Sequence, residues 1–526
     1  MLCYVHMKTI TKKSSQQKEK NTLSHIGELI ARLREDRQIT QSELAEKIGT
    51  TQSVIARIEK GEQNLSTETL AKLSKALNRE IVSITKPGTV NFKIEGGLKL
   101  SGTIKVRTSK NGALGVMCAS LLNKGTTTIR NAPRIEEVFR IMEVLESIGV
   151  KVEWQESDLV ITPPKHFNLV NIADESGAGT RTRSCIMLIG SLIHASRDFK
   201  ITQPGGCRLG ERTVKPYFYA LEQLGVDIET SSKHYRVSHK GLKKNQEIIM
   251  DEAGDTVTET ILMAAALIPG ITTVKFASAN YQVQDVCFYL ELLGVKVEGI
   301  GTSTLVIHGI QNDIKKDIVY SLSEDPIEAM SLIAAAIVTK SSITIERCSI
   351  DFLALELLKL KNMGFKYEIL KRYKAENGRT NLVDIKTFPS SLKALGAKIH
   401  AQPYPGINMD NLPFFAVIAT QVEGETMIHD WVYEERAIYY KELDKLRAET
   451  LLVDPHRFYV KGPTKLKAAE VVCPPALRPS VIILIGMLAA EGTSILRNVY
   501  NINRGYEDLA ERLNKLGAHI ETFRDL

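Results

Sequence analysis

Six times along this chain a small-residue turn leads into a β-branched strand, a short loop, a helix, a Leu-Gly break and a second strand. The unit appears as Gly125-Thr-Thr-Thr-Ile-Arg with Leu145-Glu-Ser-Ile-Gly-Val-Lys-Val, and as Asp198-Phe-Lys-Ile-Thr with Leu221-Glu-Gln-Leu-Gly-Val-Asp-Ile. It returns as Gly270-Ile-Thr-Thr-Val with Leu290-Glu-Leu-Leu-Gly-Val-Lys-Val, and as Ser341-Ser-Ile-Thr-Ile with Leu360-Lys-Asn-Met-Gly-Phe-Lys-Tyr. A degraded fifth copy is Gly424-Glu-Thr-Met-Ile with Leu443-Asp-Lys-Leu, and the sixth is Gly492-Thr-Ser-Ile-Leu-Arg with Leu513-Asn-Lys-Leu-Gly-Ala-His-Ile. A period of about 70 residues is too long for a solenoid repeat, so each copy reads as a compact α/β module. Six such modules group as two α/β domains of three, with helices buried beneath small sheets. The groove between the domains is then the default ligand site. Between the fourth and fifth copies, the polar stretch Lys371 to Thr387 reads as a surface excursion.

The first sixth of the chain is different. Residues 1–90 carry 15 Lys and Arg against 10 Asp and Glu, most of the excess behind the formal net charge of +7. A basic excess confined to one end predicts a polyanionic partner for that end. Residues 1–22 read as a disordered basic leader, polar and without the apolar core of a signal peptide. Helical patterning begins at Ser24, with Ile26, Ile30 and Leu33 on one face. Thr40-Gln41-Ser42-Glu43 is a capping box opening a second helix that ends at Gly49, and a third spans Thr51 to Lys60. A fourth covers Ser66 to Leu77. The stretch Thr40 to Gly61 resembles the Cro-type helix-turn-helix family, across residues 24–78. That resemblance implies a small all-α DNA-binding domain over 23–85. Its helix Thr51 to Lys60 would enter the major groove, with Gln52, Ser53 and Arg57 towards the bases and Gln41 on a phosphate. Arg79 to Val90 reads as a linker broken by Lys86-Pro87-Gly88.

Within the repeats, Pro204-Gly205-Gly206-Cys207-Arg208-Leu209-Gly210-Glu211-Arg212 puts a thiol on a glycine-rich turn with arginines behind it. Positive charge beside a cysteine favours the thiolate, so Cys207 is a candidate acid or nucleophile. The seven cysteines are scattered singly without a C-x-x-C pair, which predicts a reducing compartment and no disulfide framework. Cys3, Cys118, Cys185, Cys287, Cys348 and Cys473 read as small buried hydrophobes. No His/Cys/Asp spacing suggests a metal. The apolar run Val481 to Ala490 is too short to span a bilayer. These features predict a cytoplasmic protein with no membrane association; the sequence gives no signal for oligomeric state.

With Ser109-Lys110-Asn111-Gly112, the Gly-Gly-Cys turn and Pro403-Tyr404-Pro405-Gly406-Ile407-Asn408-Met409-Asp410, residues 92–526 resemble the enolpyruvyl transferases. The match is to the branch that acts on UDP-N-acetylglucosamine in peptidoglycan precursor synthesis. The resemblance implies two inside-out α/β lobes, about 110–321 and 92–109 with 322–526. It implies transfer of the enolpyruvyl group of phosphoenolpyruvate to the sugar 3-hydroxyl, with release of phosphate and no cofactor. Such a reaction needs a base, an acid and fixed cations. The resemblance makes Cys207 the acid thiol, Asp410 the base for the sugar hydroxyl, and Lys110 a catalytic cation. It places phosphoenolpyruvate on Lys110, Asn111, Arg212, Arg436, Arg478 and Arg504. It places the UDP-sugar on Arg183, Arg212, Thr213, Val214, Lys215, Pro216, Asp410 and Val432.

The chain also departs from the family pattern. Ile407-Asn408-Met409 replaces Phe-Pro-Thr before the aspartate, Pro326 replaces an arginine after the hinge acid Asp325, and Ala476 replaces an acid near Arg478. Glu252-Ala253-Gly254-Asp255 puts two acids in the uridine loop, and Asn280-Tyr281-Gln282 lacks the family's acidic pair. The core of Lys110, Asn111, Cys207, Arg212, Asp410, Arg478 and Arg504 is intact. Two readings follow. One is an active transferase with a fused DNA-binding module. The other is a DNA-binding transcriptional regulator that uses a degenerate transferase domain as a ligand sensor. Transfer to a shikimate phosphate fits less well, because that branch is not expected to carry the Gly-Gly-Cys loop.

Overall fold

The computed structural model divides the chain into two units, Met1–Thr89 and Val90–Asp525. It describes residues 39–63 and scattered positions on either side in the first unit, and 90–170, 172, 178–203, 213–311 and 314–524 in the second. The leader 1–22, Cys3, most of the first and fourth expected helices, and the whole turn 204–212 with Cys207 and Arg212 lie outside the described residues.

In the first unit, helices Gln41–Ile48 and Gln52–Glu59 follow each other across a tight turn. The capping box forms: the Glu43 amide donates to Thr40 Oγ1 at 3.2 Å, and the Thr40 amide donates to Glu43 Oε2 at 2.7 Å. Gly49, at φ 72°, ends the first of these helices in a left-handed cap that a side chain would strain. Leu44, Ala45, Ile48, Ile55 and Ile58 pack with Ile30 and Leu73 into a small core.

The second unit holds two separate hydrophobic cores, one drawn from residues 113–322 and the other from 92–106 and 327–520. Three sheets surround each. Those of the first lobe join Thr127–Arg130 to Asp158–Thr162, Asp198–Thr202 to His234–His239, and Gly270–Lys275 to Thr304–Gly309. Those of the second are built on Val90–Gly96, Ser342–Ser349 and Val422–His429. Inside the second lobe, helices Pro326–Val338, Leu412–Ala419 and Leu477–Ala489 pack on one another. The first two are buried on every side. Helices apolar all round belong inside, which is why the sheets lie outside them. Lys110–Ala119, Leu188–Leu192 and Asp255–Ala266 form the matching trio of the first lobe.

The glycine of each Leu-Gly break explains the repeat. Gly149, Gly225, Gly294, Gly364 and Gly517 all adopt φ between 84° and 104°. The chain turns there from helix into strand through a backbone conformation only glycine enters without cost. In the degraded copy Arg447 takes that place at φ 67°, after a 3-10 helix Arg436–Leu446.

Lys371 to Thr387 is not the excursion its polarity suggested. Lys366–Lys374 and Asn381–Phe388 form a hairpin that widens the sheet of Ser342–Ser349, burying Leu382, Val383 and Ile385. The chain passes between the lobes twice, and the crossings bond to each other. The Ser109 amide donates to the Ser323 carbonyl at 2.8 Å and the Asp325 amide to the Arg107 carbonyl at 2.9 Å. Among the described residues, no helix is long and apolar enough to cross a membrane.

Candidate active site

The buried helices aim their N-terminal ends at the junction of the lobes, and Lys110, Asn111, Asp410 and Arg478 ride on those ends. Lys110 and Asn111 open Lys110–Ala119, whose cap Ser109 accepts the Gly112 amide at 3.0 Å. Asp410 stands two residues before Leu412–Ala419, its amide bonded to Asn408 Oδ1 at 2.8 Å. Arg478 is the second residue of Leu477–Ala489. Asp325 caps Pro326–Val338, accepting the amides of Ile327 at 2.8 Å and Glu328 at 3.3 Å. Pro326, in place of the family arginine, therefore sits at the helix position where proline is favoured.

Asp410 is held between two buried arginines. Arg478 approaches Oδ2 through Nε at 3.3 Å and Nη2 at 3.2 Å, and Arg436 Nη1 lies 3.5 Å from Oδ1. Arg478 also donates to the Tyr506 hydroxyl at 2.9 Å. Burial opposes its charge, while Tyr506, Asp410 and Asp325 more than offset that, so the guanidinium stays ionised. Arg436 is gripped from behind by Asp430, through Nε at 2.6 Å and Nη2 at 2.8 Å, with Tyr440 donating to the same carboxylate at 2.5 Å. A fork–fork pair of this kind fixes the plane of the guanidinium. Val432 lies nearby, half-buried against the second core.

Facing this group, the first lobe presents Lys110, Asn111 and Glu137. Glu137, on helix Glu136–Ser147, is ion-paired with Arg504 of the second lobe and accepts from Thr182 at 3.5 Å. Burial alone would raise its pKa. The charges of Lys110 and Arg504, with the bonds from Arg504 and Thr182, hold it below the ordinary value instead. The arrangement thus gathers a carboxylate and four cations, Lys110, Arg436, Arg478 and Arg504, at one junction. That suits moving a proton from a hydroxyl beside a strongly anionic partner.

Of the expected sugar-nucleotide residues, Arg183 and Thr213 to Pro216 form a second group on the first lobe, while Asp410 and Val432 belong to the second. Arg183 Nη2 donates to the Thr213 carbonyl at 3.1 Å, and Thr213 Oγ1 accepts the Lys215 amide at 3.1 Å. Val214 is the cap of helix Lys215–Gln223, and Pro216 lies in its first turn. Glu252 of the altered uridine loop titrates above its usual range because it is partly buried and faces Asp251, with Arg183 pulling it down. Asp255 accepts from Ser278 at 2.5 Å and Asn280 at 3.0 Å; burial raises its pKa and the charge of Asp410 adds to the effect.

Glu137, Asp430, Tyr281 and Tyr506 were missed in the sequence as site residues. No motif points to Glu137, and nothing in the spacing ties Asp430 to its arginine. Among the described residues, no group of three or more His, Cys, Asp or Glu is placed to hold a metal ion. A cavity of about 450 Å³ lies apart from this cluster, between Arg130, Phe288 and the turn bearing Asn377 and Arg379.

In the first unit, Gln52, Ser53 and Arg57 are exposed along Gln52–Glu59. Gln41 does not project freely: it donates to Glu59 at 2.7 Å and accepts from Gln52 at 2.7 Å, while Arg34 holds Glu59 at 2.6 Å. The network fixes the start of one helix against the other.

A family model described as helix-turn-helix matches residues 30–84. One described as EPSP synthase (3-phosphoshikimate 1-carboxyvinyltransferase) matches residues 94–525. The UDP-N-acetylglucosamine 1-carboxyvinyltransferase of Bradyrhizobium diazoefficiens is 32% identical over 434 residues, covering 82% of this chain and 98% of the relative. That of Treponema denticola is 32% identical over 433 residues, with the same coverage. Among solved structures, the enolpyruvyl transferase NikO from Streptomyces tendae superposes with a TM-score of 0.70 at 22% identity, covering 84% of this chain and all of that one. An EPSP synthase from Acinetobacter baumannii gives 0.63 at 17%, covering 83% of this chain and all of that one. These two likenesses speak for the fold alone. The family-model match and the extent of the sequence match to these relatives make this chain, from Ile94 to Asp525, a member of the EPSP synthase family.

Proposed function

We propose that this protein transfers the enolpyruvyl group of phosphoenolpyruvate to the 3-hydroxyl of UDP-N-acetylglucosamine and releases phosphate, and that residues 23–85 bind DNA. The observation that carries the reading is Asp410 held between Arg478 and Arg436 where the lobes meet. The names of the relatives that span the same segment support it. In this reading Asp410 takes the proton from the sugar hydroxyl as its oxygen adds to the enol carbon. Cys207 supplies a proton to the methylene. Reversal of that proton transfer, with loss of phosphate, then restores the double bond on the new ether. Lys110, Asn111, Arg212, Arg436, Arg478 and Arg504 neutralise the phosphate and carboxylate of phosphoenolpyruvate. Arg183, Arg212, Thr213 to Pro216, Asp410 and Val432 hold the UDP-sugar. The transferase segment is 92–526, with lobes of about 110–321 and of 92–109 with 322–526.

The test is phosphate release from phosphoenolpyruvate with a panel of acceptors, comparing wild type with Cys207→Ser and Asp410→Ala. Turnover with UDP-N-acetylglucosamine, lost in both variants, is the expected result. The helix-turn-helix match, with Gln52, Ser53 and Arg57 exposed on one helix, supports a second activity on DNA. No turnover with any acceptor, alongside tight binding to one DNA sequence that a UDP-sugar modulates, would replace the enzyme by a ligand-sensing regulator.

A further inference from the structure

We propose that Tyr281, which stands where the family's acidic pair is missing, is a positioning residue that orients Asn111 towards phosphoenolpyruvate and ties it to the loop carrying Asp410. The inference rests on the transferase reading of the site. Tyr281 is the first residue of helix Tyr281–Leu293 and is completely buried, its amide accepted by the cap Asn280 at 2.9 Å. Its hydroxyl accepts from Asn111 Nδ2 at 3.3 Å. Groups beyond its own lobe face it: Ser109 at the crossing between the lobes, and Asp325, Arg478 and Asp410 on the other side. Burial, followed by the charge of Asp325, holds the phenol well above its usual range, so it remains a neutral hydroxyl.

The ring reaches further than the hydroxyl. Its edge meets Phe352 of the second lobe with centroids 5.7 Å apart, and Phe352 lies 5.0 Å from Tyr404. Tyr404 begins the loop that ends in Asp410, and its own hydroxyl is anchored on the Asp351 carbonyl at 3.3 Å. One side chain therefore joins the amide expected to hold one substrate to the loop that presents the base to the other. Aromatic edge contacts of this kind add to burial and resist sliding. An acid at this position would set a third carboxylate beside Asp410 and Asp325. A phenol keeps the polar contact to Asn111 without that charge.

Tyr281→Phe keeps the ring and removes only the oxygen. Kinetics of phosphate release for wild type, Tyr281→Phe, Asn111→Ala and the double variant form a cycle that isolates the coupling. Tyr281→Phe should lower kcat/KM for phosphoenolpyruvate about fivefold, the effect of one net hydrogen bond. It should leave the KM for UDP-N-acetylglucosamine unchanged and lower the melting temperature by only about 1 °C. In the Asn111→Ala background the same change should do nothing further. Equal losses in both backgrounds, or a loss shared by both substrates, would overturn the assignment while leaving the transferase reading intact. Tyr281→Leu, which also removes the ring contact with Phe352, should depress kcat beyond the Phe variant; a kcat equal to that of Tyr281→Phe would remove the link to the Asp410 loop. Absence of turnover in the wild type would remove the reading and this inference together.

Discussion

The Asp430 carboxylate offers the sharpest quantitative test of the site's construction. It is fully buried and binds Arg436, itself only 1% exposed, through two nitrogens, and it accepts from Tyr440 as well. Asp430→Asn keeps the volume and one acceptor but removes the charge, so no cavity confuses the result. Arg436 is then a buried cation whose nearest remaining acid is Asp410, 3.5 Å away and shared with Arg478. Breaking one side of a buried ion pair costs about 3–5 kcal/mol, and the retained acceptor puts this case near 3. A unit spanning Val90–Asp525 has an unfolding entropy of roughly 0.9 kcal/mol/K. The melting midpoint should therefore fall by about 3 °C if the unit melts as one, and by about twice that if the second lobe melts alone. Calorimetry reads both the shift and the choice between them. Glu521→Gln, which breaks the exposed contact with Lys93, should leave the midpoint in place. Phosphate release should fall as well, because Arg436 loses the partner that fixes its plane. A variant that melts with the wild type would refute the claim that Asp430 is what keeps a charged guanidinium inside the lobe.

Three further outcomes follow from the same physics. A Cβ at Gly112 would lie 2.4 Å from Asp285 Oδ2, and Tyr320 and Ser323 hold that carboxylate through Oδ1 at 2.6 Å and 2.9 Å. Gly112→Ala should displace the helix start bearing Lys110 and Asn111 and raise the KM for phosphoenolpyruvate; unchanged kinetics would argue against that placement. Glu259 is fully buried with neither carboxylate oxygen bonded among the described residues, and burial, with Asp255 and Asp285 adding, raises its pKa well above the ordinary value. A raised folded-state pKa means the native protein keeps its proton longer than the unfolded chain, so stability falls as pH climbs above the ordinary carboxylate range, by up to about 1.4 kcal/mol per unit. The melting difference between Glu259→Gln and wild type should shift in the variant's favour from pH 5 to pH 8, and a pH-independent difference would contradict the assignment. In the first unit, Thr40→Ala removes the capping box at a cost of about 1 kcal/mol, and amide exchange over Gln41–Ile48 in the full-length protein should quicken about fivefold; unaltered protection would deny the cap its role.

What the sequence disclosed was whatever it wrote locally. The Leu-Gly breaks are legible because each needs a glycine at positive φ, and the capping box because its two partners are three residues apart. Lys371 to Thr387 was misjudged because a hairpin lying on a sheet half-buries polar strands, and charge density alone resembles a loop. Motif resemblance pointed to Lys110, Asp410, Arg478 and Arg504 one by one, without saying which side chains meet. Glu137 lies 367 residues from Arg504, and Asp410 lies 68 from Arg478. Such partners meet only because the N-terminal ends of buried helices in two lobes converge, which no spacing along the chain encodes.

That convergence also explains why the junction is not a bare cluster of cations. Guanidiniums gathered in a poorly solvated cleft repel one another and lose hydration, so each needs an acceptor before any substrate arrives. Among the described residues, Arg436 has Asp430, Arg478 has Asp410 and Tyr506, and the half-buried Arg504 has Glu137. The carboxylates fix the cations in place without a substrate. The loss of an acid at Ala476 is tolerable on the same ground, since Arg478 already has Asp410 on one side and the Tyr506 hydroxyl on the other. What the departure changes is how much of Arg478's charge is committed to Asp410. Restoring an acid by Ala476→Asp should therefore compete for that guanidinium, and it should alter the pH dependence of turnover rather than abolish it.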